Sequence, residues 1–176
     1  MRTRRAPIIS ACIAAALCVA VAAPSLAAPS EAKAVGTVTW DGESGNDPGR
    51  VSTFKVWDGN PGAIGDDEGD RGWYAIDKQN GASMVMDVSC VRIVAEEGWA
   101  EFAGTIVEAA PPFTVGEIFR VAVVDSGKRG TRGDEIGMKS RQDGDLAEAC
   151  RQVLDDIRMG RKGVITGGNI RIRGPR

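Results

Sequence analysis

From Val35 onward, polar and apolar residues alternate in short runs, and clusters of Gly, Asp, Asn and Pro separate them. A period of two sends successive side chains to opposite faces of a strand, so each run predicts a strand with one buried face. The first is Val35–Trp40. The second is Val51–Trp57, where Val51, Thr53, Lys55 and Trp57 alternate against Ser52, Phe54 and Val56. Gly72–Asp77 is the third, and the Asn80-Gly81 pair after it predicts a tight hairpin turn. Ala82–Ala95 is the longest, with Met84, Met86, Val88 and Cys90 on one face and Asp87 and Ser89 on the other. Trp99–Val107 and Gly116–Asp125 follow, and Val164–Arg173 reads as a closing strand with a Gly-Gly bulge or bend. No internal repeat is visible. The pattern predicts a mainly β protein: one antiparallel β-sandwich or flattened barrel of about eight strands, over residues 35–173.

One segment departs from this period. Leu146, Ala149, Cys150, Val153, Leu154 and Ile157 recur at helical spacing and predict one short α-helix near 145–159. Asp143 or Asp145 can cap its start and Gly160 its end. Cys150 falls on the apolar stripe, and Cys90 falls with the apolar set of its strand. Both cysteines are therefore expected to face inward.

The first residues are of another kind. Arg2, Arg4 and Arg5 precede an uncharged run from Ile8 to Ala23, and Ser25 and Ala27 supply small side chains before a cleavage point. This is the build of a secretory signal peptide, residues 1–27, with cleavage after Ala27 expected and after Ala23 the alternative. The apolar run is about 16 residues, short of the roughly 20 that a spanning helix needs. Residues 28–34 read as a flexible lead-in. The mature chain is expected to be secreted, extracellular or periplasmic, with no membrane association after cleavage.

Removing the signal changes the chemistry. It takes three arginines and no acid, so the net charge moves from −2 to −5. That balance points away from nucleic acid and anionic membranes as dedicated partners. The export signal leaves an unidentified extracellular or cell-surface partner as the expectation. Cys12 and Cys18 leave with the signal, so Cys90 and Cys150 remain. In an oxidising compartment they most simply form one disulfide, worth roughly 3–4 kcal/mol by closing a loop of about 60 residues. A reduced, buried pair is the alternative. The chain contains no histidine. Ser-His-Asp and Cys-His catalysis and His-ligated metals are thereby excluded.

Three stretches also carry a resemblance. They are GEIFRVAVVDSG at 116–127, GTRGDEI at 130–136 and GGNIRI at 167–172. Together they resemble the post-choice-of-anchor domain family, β-rich secreted domains of bacteria without an established activity. Asp125, Gly127, Asp134 and Gly168-Asn169-Ile170 match its pattern, and Val88–Val91 followed by Trp99–Gly104 is similar to it. The resemblance spans roughly residues 35–173. It implies a further strand after Asp134, a secreted location and a place for the later cysteine. It implies nothing about mechanism, and the longer helical insert near 145–159 departs from it.

Three candidate sites follow. Asp125 and Asp134 flank a Gly-rich turn, and Asp58, Asp66, Asp67, Glu68 and Asp70 crowd another loop. Calcium takes such hard oxygens, so calcium is the one cofactor considered. The simpler reading is that these aspartates bond turn and capping N–H groups. Trp57 and Trp99 lie near loop glycines and are the candidate ligand-binding tryptophans for a carbohydrate, with core packing as the plainer role. Glu96, Glu97, Glu101, Glu108 and Glu117 could serve a carboxylate-pair hydrolase, but nothing in the sequence pairs them, and no catalytic residue is assigned. The expected function is a non-enzymatic structural or binding domain, with a calcium-stabilised or carbohydrate-binding module as the alternative.

Overall fold

Each strand pairs antiparallel with the next in the chain, and the last returns to the first. The computed structural model describes residues 31–41, 49–61, 68–127, 133–141, 145–152 and 161–175. The elements are β1 (Ala32–Asp41), β2 (Arg50–Asp58), β3 (Arg71–Lys78), β4 (Ser83–Val94), β5 (Trp99–Ala109), β6 (Ile118–Val124), β7 (Glu135–Arg141), α1 (Leu146–Gln152) and β8 (Arg161–Arg173). Of the two β architectures expected, the barrel is the one found. β8 pairs with β1 from Lys33–Arg173 to Asp41–Val164, which closes the sheet, and β7 meets β8 from Glu135–Val164 to Met138–Arg161. The residues expected to form a signal peptide, 1–27, and the positions expected to continue the helix after Gln152 lie outside the described residues.

Two boundaries differ from the sequence reading. β1 begins at Ala32, three residues before Val35, and Ala32 and Ala34 are fully buried. Alanine has weak strand preference, so the segment reads as a lead-in. Its pairing on both sides, Ala32 with Asp58 and Lys33 with Arg173, makes it a strand. The strand after Asp134, implied by the resemblance alone, is β7.

The larger correction concerns Cys90. In β4, Val88 pairs with Gly104 while Cys90 pairs with Ala103, so Ser89 is an extra residue in the ladder. This bulge reverses the alternation. Met84, Met86 and Val88 point into the barrel before it, and Val91 and Ile93 after it. Cys90 instead joins Ala103, Ile118 and Ala149 in a second apolar cluster, with Leu146 and Cys150 against it. That cluster lies where α1 packs on β4, β5 and β6. Cys90 and Cys150 are bonded there as a disulfide. The pairing matches the expectation, but it staples the helix to the outside of the barrel. Asp145 caps α1 through the Ala147 N–H donating to Oδ1 at 3.0 Å.

The interior is a packed core, as an eight-stranded barrel allows. A polar chain runs through it. Trp40 Nε1–H donates to Ser52 Oγ at 2.8 Å, Ser52 Oγ meets Tyr74 Oη at 2.8 Å, and Tyr74 Oη–H donates to Met138 Sδ at 2.8 Å. Four strands are thereby tied through groups that would otherwise be buried without partners. Burial pushes the Tyr74 hydroxyl well above its ordinary value, against smaller opposing effects of Ser52 and Arg50. A raised folded value means that the neutral hydroxyl stabilises the fold fully below the unfolded pKa and loses that contribution as pH rises past it. Tyr74 is the chain's one tyrosine. Absorbance at 295 nm therefore titrates it alone. Tyrosinate is expected only above pH ~10 and together with loss of near-ultraviolet circular dichroism. A reversible transition near pH 10 in folded protein would refute the buried placement.

Candidate functional site

Asp58, Asp70, Asp125 and Asp134 lie at one end of the barrel, where the β2–β3, β4–β5 and β6–β7 connections begin and end. The carboxylate oxygens of four of them receive backbone N–H groups. Asp125 Oδ1 accepts from Gly127 N–H at 2.8 Å and Oδ2 from Ile172 N–H at 3.1 Å. Asp134 Oδ1 accepts from Ser126 N–H and O–H, both at 3.0 Å, and Oδ2 from Ile170 N–H at 3.4 Å. Asp58 Oδ1 accepts from Asn60 N–H at 3.1 Å and Oδ2 from Ile93 N–H at 2.9 Å. Asp70 Oδ1 accepts from Gly59 N–H at 2.9 Å and Oδ2 from Val91 N–H at 2.6 Å. These are turn and strand-anchoring bonds, the second of the two roles expected for Asp125 and Asp134. Asp66 and Asp67 lie outside the described residues. Among the described residues, no three Asp, Glu or Cys groups converge in a metal-binding arrangement. Burial raises the pKa of Asp58, opposed by the N–H groups of Ile93 and Asn60 and by Arg92.

The two pairs are copies of one device. In each, the first aspartate ends a strand (Asp58) or directly follows one (Asp125) and bonds the N–H two residues on. The second bonds the N–H just after the first, and both reach the strand two places along the barrel. Asp58 and Asp70 hold β4 at Ile93 and Val91; Asp125 and Asp134 hold β8 at Ile172 and Ile170. A glycine precedes the second aspartate in both, Gly69 at φ +85° and Gly133 at φ +91°, a conformation that favours glycine. The clamp thus occurs once in each run of four strands, β1–β4 and β5–β8. The sequence reading found no repeat, because the shared signal is a few residues in loops of different length.

The tryptophans separate. Trp40 is core, at 2 % exposure. Trp99 lies at the start of β5, with its Nε1–H donating to Glu97 Oε2 at 2.8 Å and Arg92 over its ring at 5.1 Å. Trp57 lies on the outer face of β2. Lys55 is 4.7 Å from its ring centroid, and Lys33 and Arg71 are each 5.2 Å away. Trp57 and Trp99 stand on different strands, three apart in the sheet, and do not share a surface row. Trp73 is the tryptophan that sequence reasoning passed over, and it is the exposed one, at 40 %.

Strand register explains what surrounds Trp57 and Trp73. One row across the outer face runs Arg173, Lys33, Trp57, Arg71 on β8, β1, β2 and β3. The next runs Arg171, Val35, Lys55, Trp73, Asp87. Five cations and two indoles therefore occupy neighbouring positions. Two acids border them: Glu31 receives Arg71 Nη2–H at 2.8 Å, and Asp87 faces Trp73 across β3 and β4. Arg173 and Lys33 are directly opposed like charges, an arrangement that costs a sheet stability.

The glutamates do not assemble into one cleft. Glu96 and Glu97 sit in the β4–β5 turn, Glu101 is buried on β5, and Glu108 and Glu117 lie toward the opposite end of the barrel. No helix among the described residues is long and apolar enough to cross a membrane. Comparison with protein families, with curated proteins and with solved structures finds no match to this chain.

Proposed function

We propose that the protein is a secreted, non-catalytic binding domain and that the outer face of β8, β1, β2 and β3 is its binding face. One observation carries this reading. On a chain with more acids than bases, two adjacent sheet rows gather Arg173, Lys33, Arg71, Arg171 and Lys55 around Trp57 and the exposed Trp73. Opposed like charges are unfavourable for the sheet, so a bound partner is what offsets them. The signal-peptide pattern and the Cys90–Cys150 disulfide support an oxidising, extracytoplasmic setting.

An array of neutral and acidic glycans, probed with wild type and with Trp73→Ala, tests the placement. At least one glycan class is expected to retain wild type. Trp73→Ala is expected to lose about tenfold in affinity, the loss of roughly one aromatic stacking contact plus its buried area. Far-ultraviolet circular dichroism should be unchanged, since Trp73 contributes little to the core. Equal retention of both proteins would place the binding elsewhere.

A further inference from the structure

We infer that the ligand of this face is an acidic polysaccharide, a chain of sugar rings bearing carboxylates. The inference rests on the binding face proposed above and gives it a ligand class. The two indoles differ in what they offer. Lys33, Lys55 and Arg71 crowd the Trp57 ring at 4.7–5.2 Å, so that ring serves to hold the three cations in place. Trp73 keeps an exposed surface, on the strand next to Trp57 and directly opposite Lys55. The face is thus one open indole beside a field of fixed cations. A sugar ring has an apolar side that fits an indole, and its carboxylates fit the cations. Single-stranded nucleic acid calls for a series of open stacking platforms along a groove. This face presents one. A neutral glycan would offer no anion to Lys33, Lys55, Arg171 and Arg173, and among the described residues none of these four is in a salt bridge.

Spacing agrees with an extended polymer. Adjacent strands lie about 4.8 Å apart, so the row from Arg173 to Arg71 crosses roughly 14 Å. That length suits several sugar units lying across the strands. The cations stand on the outside, where salt screens them, so binding should weaken as salt rises.

The test uses secreted, oxidised protein titrated with polygalacturonate, amylose and poly(dT), followed by tryptophan fluorescence and calorimetry at low and raised salt. Polygalacturonate is expected to bind, to weaken with salt, and to lose about tenfold in affinity in K33Q/K55Q. Thermal melts of that variant matching wild type keep the comparison fair. Amylose binding as tight as polygalacturonate, lost in Trp73→Ala, would overturn the acidic class while leaving the face as the binding site. Preference for poly(dT) would overturn it in favour of nucleic acid. Binding to polygalacturonate that survives both variants would overturn the face itself, and so would no binding to any of the three.

Discussion

Replacing Cys90 and Cys150 together with alanine is expected to lower stability by about 4 kcal/mol at 25 °C, the chain-entropy value for this closed loop. The bond joins residues 60 apart in sequence, from the middle of β4 to α1. Between them lie β5, β6 and β7, so the unfolded chain gains much freedom when the bond is absent. For a domain of this size the melting temperature should fall by roughly 8–16 °C. Urea unfolding of oxidised wild type and C90A/C150A measures it. The variant should also show a steeper denaturant dependence, because its unfolded state is more expanded. The barrel itself should persist, since α1 packs on its outside and contributes no ladder bond. Hydrogen exchange should then show α1 losing protection while β4 and β5 keep theirs. Alanine suits Cys90 better than serine, because Cys90 is 4 % exposed among Ala103, Ile118 and Ala149. Identical melts for the two proteins would mean that the wild-type protein does not carry the bond.

Asp134→Ala should cost about 3 kcal/mol, and Asp70→Ala a similar amount. Each carboxylate accepts from a turn N–H and from a strand N–H, Ser126 and Ile170 in one case, Gly59 and Val91 in the other. Removal leaves those donors without an acceptor in a partly buried setting, and bonds to a charged group are worth about 1.5–3 kcal/mol each. Asparagine should rescue little. Its amide offers one acceptor where two donors converge, and its NH₂ would face an N–H. The near equality of the two losses is the sharper expectation, because the two clamps make the same pattern of bonds. Equilibrium denaturation of both variants measures it. A loss within about 0.5 kcal/mol of wild type at either position would show that the bonds there are dispensable.

Much of the barrel was legible from alternation. β2, β3 and β6 fall close to their predicted runs, and the Asn80-Gly81 turn closes with Gly81 N–H donating to Lys78 O at 3.0 Å. The Gly-Gly irregularity in the last strand is present as a bulge at Thr166, beside Gly167 and Gly168. Cys90 was misplaced because a pattern of period two carries straight through a bulge. Only the partner strand shows that Ser89 is an extra residue. The binding face was half legible. Trp57 was found as a candidate, but its neighbours Lys33, Arg71, Arg171 and Arg173 lie far apart in sequence and meet only through register. The whole-chain charge concealed them, because it averages over a surface on which cations are gathered.

The chain's local chemistry determined most of the strands, the Asn80-Gly81 turn and the helix start at Asp145. Those features depend on residues within a few positions of one another, where alternation, capping and small-residue rules act. Closure of the sheet, the side to which Cys90 turns, the doubled aspartate clamp and the cation–indole rows were decided by tertiary structure. Each depends on which backbone lies beside which, and that choice is made when β8 pairs with β1 and buries one common core.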